Sequence, residues 1–167
     1  MRPRLILLTT ASVVMALIIS AATSPRYVLN LSPSVPVGLY RLEGRSLQRG
    51  DLAVIHLGEP WRNLAQSRGY LLSKAWLIKP VAALPGDRVC RLGWVITING
   101  SISAVAQSAD PMGRFLPKWD GCRSLGQDEM FLLSNTDNSF DGRYFDVTPR
   151  SALIAKALPF LILVMHQ

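Results

Sequence analysis

Tyr70-Leu71-Leu72-Ser73-Lys74-Ala75-Trp76-Leu77-Ile78-Lys79-Pro80-Val81-Ala82-Ala83-Leu84 is an apolar run with two lysines set into it, and it stops at Pro85-Gly86-Asp87. Its length would suit a helix, but Pro80 lies well inside it. A proline there has no N–H for the i−4 carbonyl, and its ring crowds the preceding turn. In a sheet the missing N–H is tolerated at an edge or an irregularity. The run is therefore predicted to be a strand that bends or lies at a sheet edge near Lys79.

The flanking sequence agrees with a sheet. Val89–Leu92 and Trp94–Ile98 read as strands, and Asn99-Gly100 is a tight-turn signal into Ile102–Ala106, a hairpin. Ser108–Arg114 and Pro117–Gly121 are punctuated by turn formers and read as an irregular flap tied down by Cys122. Met130–Leu133 is a buried-strand pattern that delivers a polar loop, Ser134–Arg143. Ala152–Ala157 makes one more strand, and Leu158–Met165 is too short to span a bilayer, so it is core strand or interfacial. Toward the N-terminus, Glu59–Gly69 is a polar loop or short helix, and Gly50-Asp51 turns into a strand over Leu52–Leu57. With no internal repeat and no helical period outside the first residues, the fold is predicted to be mainly β.

Met1-Arg2-Pro3-Arg4 precedes Leu5–Ser24, which has no charge and is about 20 residues long, enough to cross the hydrocarbon as a helix. The two arginines favour a cytoplasmic N-terminus, which places the rest of the chain on the far side. The alternative is a cleaved signal peptide, since Ser20-Ala21-Ala22-Thr23 offers small residues of the cleavage-site kind. Residues 1–25 are thus read as an anchor or signal peptide, and 26–167 as one exported domain. Export gives Cys90 and Cys122 an oxidising compartment, where a lone pair is expected to form a disulfide. Neither they nor His56 and His166 have metal-ligand spacing, and no cofactor or metal is expected. The net charge of +7 raises nucleic acid as a partner. The basic residues are scattered, with no basic helix or recognition motif, which excludes that class and leaves anionic lipid headgroups or a solvated face.

Just beyond the anchor stands Ser32-Pro33-Ser34-Val35-Pro36-Val37-Gly38-Leu39-Tyr40. Two prolines and a glycine make the backbone around Ser34 stiff and sharply turned, a way of holding a nucleophile. Taken alone, the stretch is an ordinary Ser-Pro turn before it is a nucleophile. A serine needs a base, and neither histidine has an acidic neighbour in sequence. Lys79 offers more, because its apolar flanks disfavour the ammonium form. At an ordinary lysine pKa about one amine in a few thousand is neutral at pH 7, whereas a pKa near 8 makes it roughly one in ten. The alternative is a lysine that snorkels from its strand to water.

Three ordered boxes together resemble the type I signal peptidase family, membrane-anchored Ser/Lys proteases. They are Ser32–Pro36, Leu77–Val89 and Asp137–Tyr144. The Ser-x-Pro-x-Gly-Leu-Tyr pattern, Lys79-Pro80-Val81-Ala82-Ala83-Leu84-Pro85-Gly86-Asp87 and Ser139-Phe140-Asp141-Gly142-Arg143-Tyr144-Phe145 look most like its conjugal-transfer, TraF-type branch. By position, the resemblance implies Ser34 as nucleophile and Lys79 as general base. It implies an oxyanion site from the Ser32 hydroxyl and the Ser34 N–H, Ser139 orienting the lysine, and Asp141 with Arg143 as a structural charge pair. It also implies a signal-peptidase-like antiparallel sheet behind a single N-terminal transmembrane helix. Gly142 stands where the general pattern has a serine, Pro33 where it has a smaller residue, and one residue instead of two separates Ser34 from Pro36. These departures fit a narrow-specificity branch. The expected protein is an inner-membrane, periplasm-facing endopeptidase that processes an exported precursor, the propilin of a conjugative transfer system, with hydrolysis or cyclisation of the product. Its expected partners are that precursor, the bilayer and other conjugation proteins. The alternatives are a general leader peptidase, or a non-catalytic anchored component of the transfer apparatus.

Overall fold

The computed structural model describes residues 26–163. The anchor expected over residues 1–25 lies outside the described residues, as does His166. Among the described residues no helix is long and apolar enough to cross a membrane.

In chain order the strands are β1 (Tyr27–Asn30), β2 (Gly38–Glu43), β3 (Leu52–Ile55), β4 (Leu77–Ala83), β5 (Arg88–Leu92), β6 (Val95–Ile98), β7 (Ser101–Val105), β8 (Gly121–Ser124), β9 (Glu129–Leu132), β10 (Thr148–Pro149) and β11 (Leu153–Ile162). Short helices α1 (Trp61–Ser67) and α2 (Gly142–Phe145) interrupt them. The larger sheet has the order β1-β2-β11-β3-β4-β9-β10, and the smaller one β7-β6-β5-β8. All pairings are antiparallel, so the mainly β expectation holds.

The expected strand around Lys79 is present, but it begins only at Leu77 and is not at an edge: β4 lies between β3 and β9. Pro80 is accommodated by an irregularity on its β9 side. β9 ends at Leu132, and the next residue, Leu133, donates its N–H to the Pro80 carbonyl at 3.0 Å. The reverse bond, which Pro80 cannot make, falls where β9 has already given way to a loop, and the register shifts between Val81 and Ala83. The missing N–H therefore sits at the end of a neighbouring strand, which has the same physical effect as an edge. Residues 70–76, predicted as part of the strand, are loop and turn that line a cleft.

The C-terminal pattern was divided at Leu158, whereas β11 runs unbroken across it. β3 pairs with β11 only as far as Ala157, so Pro159 falls where β11 has a partner, β2, on one side only. Gly38 faces that part of β11, and a Cβ there would come 2.3 Å from the Leu161 carbonyl oxygen. The segment 59–69 contains α1, which buries Ala65 and rests Trp61 and Leu64 on the core.

Strand alternation puts Leu77, Lys79 and Val81 on one face of β4 and Ile78 on the other. Val81 and Leu77 join Ile55, Leu132, Phe140 and Tyr144 in one apolar cluster, while Ile78, Val54 and Tyr40 form another across the sheet. Burying a side chain such as Ile55, fully inaccessible here, contributes about 1.5–3 kcal/mol. A third cluster, with Ala83, Val89, Ile96 and Phe131, joins the two sheets. In the smaller sheet, Asn99 and Gly100 both have φ > 0 (51° and 82°), as a tight hairpin turn between β6 and β7 requires. Cys90 and Cys122 are directly opposed on β5 and β8 and form a disulfide, the pairing expected from the compartment argument. Neighbouring residues 89 and 123 carry the ladder, leaving the cysteines in a close, non-hydrogen-bonded pair with Cα atoms 4.0 Å apart.

Candidate active site

The turn from Ser32 to Val37 connects β1 to β2 and is held by the residues at its two ends. Asn30, the last residue of β1, is buried, and its Nδ2 donates to the carbonyls of Ser32 (2.7 Å), Val35 (3.1 Å) and Pro36 (3.1 Å). Its Oδ1 accepts the Ser32 N–H at 3.2 Å. Tyr40, on β2, donates its hydroxyl to the Pro36 carbonyl at 2.6 Å. From across the fold, the Ser134 hydroxyl donates to the Ser34 carbonyl at 2.6 Å. A loop whose carbonyls are so fully occupied presents its side chains in one geometry.

That geometry brings the two principal candidates together. Ser34 Oγ lies 2.6 Å from Lys79 Nζ and 3.0 Å from Ser32 Oγ. Lys79 Nζ is also 2.7 Å from Ser139 Oγ. Ser32, Ser34, Lys79 and Ser139 thus form one chain of polar atoms spanning the serine turn, β4 and the loop after β9. The Ser34 N–H makes no hydrogen bond among the described residues, which leaves it available to an incoming oxygen. His56 is exposed and does not line the cleft.

Lys79 is 2% exposed and has only hydroxyls as hydrogen-bond partners. Burial is the largest influence on it and lowers its pKa to about 8. The Asp141 carboxylate acts in the opposite direction, and the Arg143 guanidinium lowers the pKa further. The apolar flanks of Lys79 are thus only part of its electrostatic setting. A carboxylate does act on Lys79, but it makes no hydrogen bond to it and an arginine offsets its charge.

Asp141 and Arg143 are themselves almost wholly buried. Burial raises the Asp141 pKa, and Arg143 and the N–H groups of Ser134 and Arg143 oppose this. Asp141 Oδ2 accepts from Ser134 N at 3.0 Å, and Oδ1 accepts from Arg143 N at 3.1 Å and lies 3.5 Å from Arg143 Nε. Arg143 Nη1 donates to the carbonyls of Thr136 and Asp137, each at 2.9 Å, and Nη2 donates to that of Ser134. The pair thereby closes the loop 134–143 on itself and delivers Ser139 to the lysine. Gly142 has no room for a side chain: a Cβ would lie 2.7 Å from both the Leu132 carbonyl oxygen and the Phe131 ring.

The polar chain opens into a cleft of about 560 Å³ whose walls include Leu29, Leu31, Tyr70, Leu72 and Trp76. Among the described residues no three His, Cys, Asp or Glu side chains cluster as metal ligands would. Asn30 and Ser134 were not singled out as site residues in the sequence. Asn30 has a local signal, a polar residue closing a strand just before the turn, whereas the Ser134 contact to Ser34 spans 100 positions and has none.

Residues 2–161 match the model of a family described as signal peptidase, peptidase S26. A conjugal transfer protein TraF of Agrobacterium tumefaciens (strain 15955) is 38% identical over 173 residues, 95% of each chain. A plasmid transfer protein TraF of Escherichia coli is 33% identical over 147 residues, 80% of this chain and 81% of that one. A crystal structure of a signal peptidase I from Enterococcus faecalis V583 is 16% identical, covering 68% of this chain and 98% of that chain, with a TM-score of 0.39.

Proposed function

The chain belongs to the signal peptidase family, peptidase S26, and from that premise we propose that it is a Ser/Lys endopeptidase that cuts an exported precursor, the propilin of a conjugative transfer system. The observation that carries this reading is the 2.6 Å approach of Ser34 Oγ to a buried lysine amine whose pKa is lowered to about 8. About one amine in ten is neutral at pH 7 on that value, enough for a general base.

In the proposed reaction the Ser34 proton passes to the neutral Lys79 amine as Oγ bonds to the scissile carbonyl carbon. The carbonyl oxygen takes up the electron pair, and the Ser32 hydroxyl and Ser34 N–H donate to it. Collapse breaks the C–N bond, the leaving amine takes the proton from the Lys79 ammonium, and an ester to Ser34 remains. Water, deprotonated by Lys79, then attacks the ester; the Oγ–C bond breaks, Ser34 Oγ takes the proton back from Lys79, and the acid is freed. If the N-terminal amine of the substrate attacks instead, the product is a ring lighter by one water. Ser139 keeps the amine aimed at Ser34, and the apolar cleft accepts an extended segment of the precursor.

The membrane anchor, the inner-membrane location and the periplasmic setting of the domain are part of the proposal. The uncharged Leu5–Ser24 and the Cys90–Cys122 bridge support them. Kinship with transfer proteins supports conjugation as the context.

The test is co-expression of a propilin with the native chain, Ser34→Ala or Lys79→Ala, followed by intact-mass measurement of the pilin. Processing by the native chain alone is expected, and unchanged processing by either variant would overturn the dyad. Cleavage of unrelated secretory precursors at comparable rates would favour a general leader peptidase instead.

A further inference from the structure

The smaller sheet contributes no strand to the polar chain, yet two side chains from its neighbourhood reach the loop that serves Lys79. Arg91, on β5, is fully buried, and no carboxylate of the described residues lies within ion-pair distance of it. A buried cation of this kind is costly unless hydrogen bonds replace its water, and here they do so for Nε and Nη1 while Nη2 is left without a partner among the described residues. Arg91 Nε donates to the Gly93 carbonyl at 3.1 Å, and Nη1 donates to the carbonyls of Pro117, at 3.5 Å, and Arg143. Trp119, in the flap that leads into β8, donates Nε1–H to the Gly142 carbonyl at 2.9 Å while its ring meets Phe131 edge-on.

Gly142 and Arg143 are the first two residues of α2, a single turn in which the Gly142 carbonyl also accepts the Asp146 N–H at 3.2 Å. At its N-terminal end Asp141 caps the same turn through Arg143 N. α2 is therefore gripped from both directions, by Asp141 within the loop and by Arg91 and Trp119 from outside it. The two outer members are joined covalently: Arg91 follows Cys90, and Cys122 comes three positions after Trp119. Neither Arg91 nor Trp119 lines the cleft.

We propose that Arg91 and Trp119 are positioning residues that clamp α2 against the site, and that the Cys90–Cys122 bridge holds the two halves of the clamp together, so that turnover depends on a disulfide outside the cleft. The inference rests on the Ser/Lys peptidase reading. Loosening α2 displaces Asp141 and Arg143, admits water beside Lys79 and returns its amine toward the ordinary lysine range. The resulting defect is one of protonation, present at neutral pH and absent in alkali, with no change in substrate affinity.

The test uses the full chain in detergent and p-nitrophenyl acetate as probe, with transfer of the acetyl group to Ser34 followed by intact mass from about pH 6 to pH 10. Trp119→Phe keeps an aromatic ring, smaller than the indole, and removes the N–H, and Arg91→Lys keeps the charge and loses the fork. Trp119→Phe is the more conservative change and keeps the test decisive if Arg91→Lys does not fold. The expected result is acylation about 3–10-fold slower at pH 7, converging on the native rate near pH 10, because a midpoint raised by half to one unit changes the neutral fraction by that factor. The ester concentration for half-maximal rate should not move, and dithiothreitol should give the native chain the same profile. A uniform slowing at every pH, an unchanged Trp119→Phe profile, or a reduced chain with the native profile would each overturn the clamp. Ser34→Ala acylated at the native rate would overturn the peptidase reading itself, an outcome distinct from an inert Ser34→Ala beside an unshifted Trp119→Phe.

Discussion

On the proposed reading, Lys79 is a residue at which function and stability pull apart. Its pKa falls from 10.5 in the open chain to about 8 in the fold, so between those values the unfolded state binds more protons and stability rises with pH. Below about pH 8 the full penalty applies, about 3 kcal/mol. Lys79→Met removes the buried cation and also strips Ser139 of a partner, a loss of about 1–2 kcal/mol. The variant is expected to be inactive yet more stable than the native chain by about 1–2 kcal/mol at pH 6, with the advantage gone near pH 10. Urea unfolding at the two pH values checks this, and a less stable variant at pH 6 would contradict it. The apolar neighbours of Lys79 on both sides were legible in the sequence, but they fitted a lysine snorkelling to water as well as a buried one, and it was the resemblance of three ordered boxes that set it beside Ser34. The burial of Arg91 was not legible, since a lone arginine in a strand reads as solvent-facing until the fold shows three carbonyls around it.

Among the elements, α2 has little tolerance. Its first residue, Gly142, is wedged against the Leu132 carbonyl and the Phe131 ring. Gly142→Ser, which restores the residue of the general family pattern, is expected to destabilise the fold by about 2 kcal/mol and lower Tm by roughly 6–8 °C. Calorimetry measures this, and an unchanged Tm would show that β9 yields. The departure at 142 thus belongs to packing beneath the site and leaves the cleft untouched. The sequence indicated which segments are strands, because hydrophobic alternation and turn residues act over a few positions. It misplaced β4 at an edge because a proline announces a missing N–H without revealing whose strand ends opposite it. It also extended that strand back to Tyr70, since an apolar residue lining a cleft and one filling a core look alike in one dimension.

For the whole molecule, the disulfide closes a loop between positions 32 apart and should stabilise the fold by about 3–4 kcal/mol in the chain-entropy model. Reduction, or paired Cys90→Ser and Cys122→Ser replacement, should lower the urea midpoint accordingly, and an unchanged midpoint would contradict it. The order of strands in the larger sheet has a different consequence. Ser34 belongs to the β1–β2 hairpin and Lys79 to β4, on the far side of β3, while β11, the last strand made, lies between β2 and β3. Ser34 and Lys79 therefore become neighbours within a finished sheet only when β11 slides between β2 and β3. On the proposed reading, a chain in which β11 has yet to dock would be latent, and it would acquire its chemistry only as that strand takes its place.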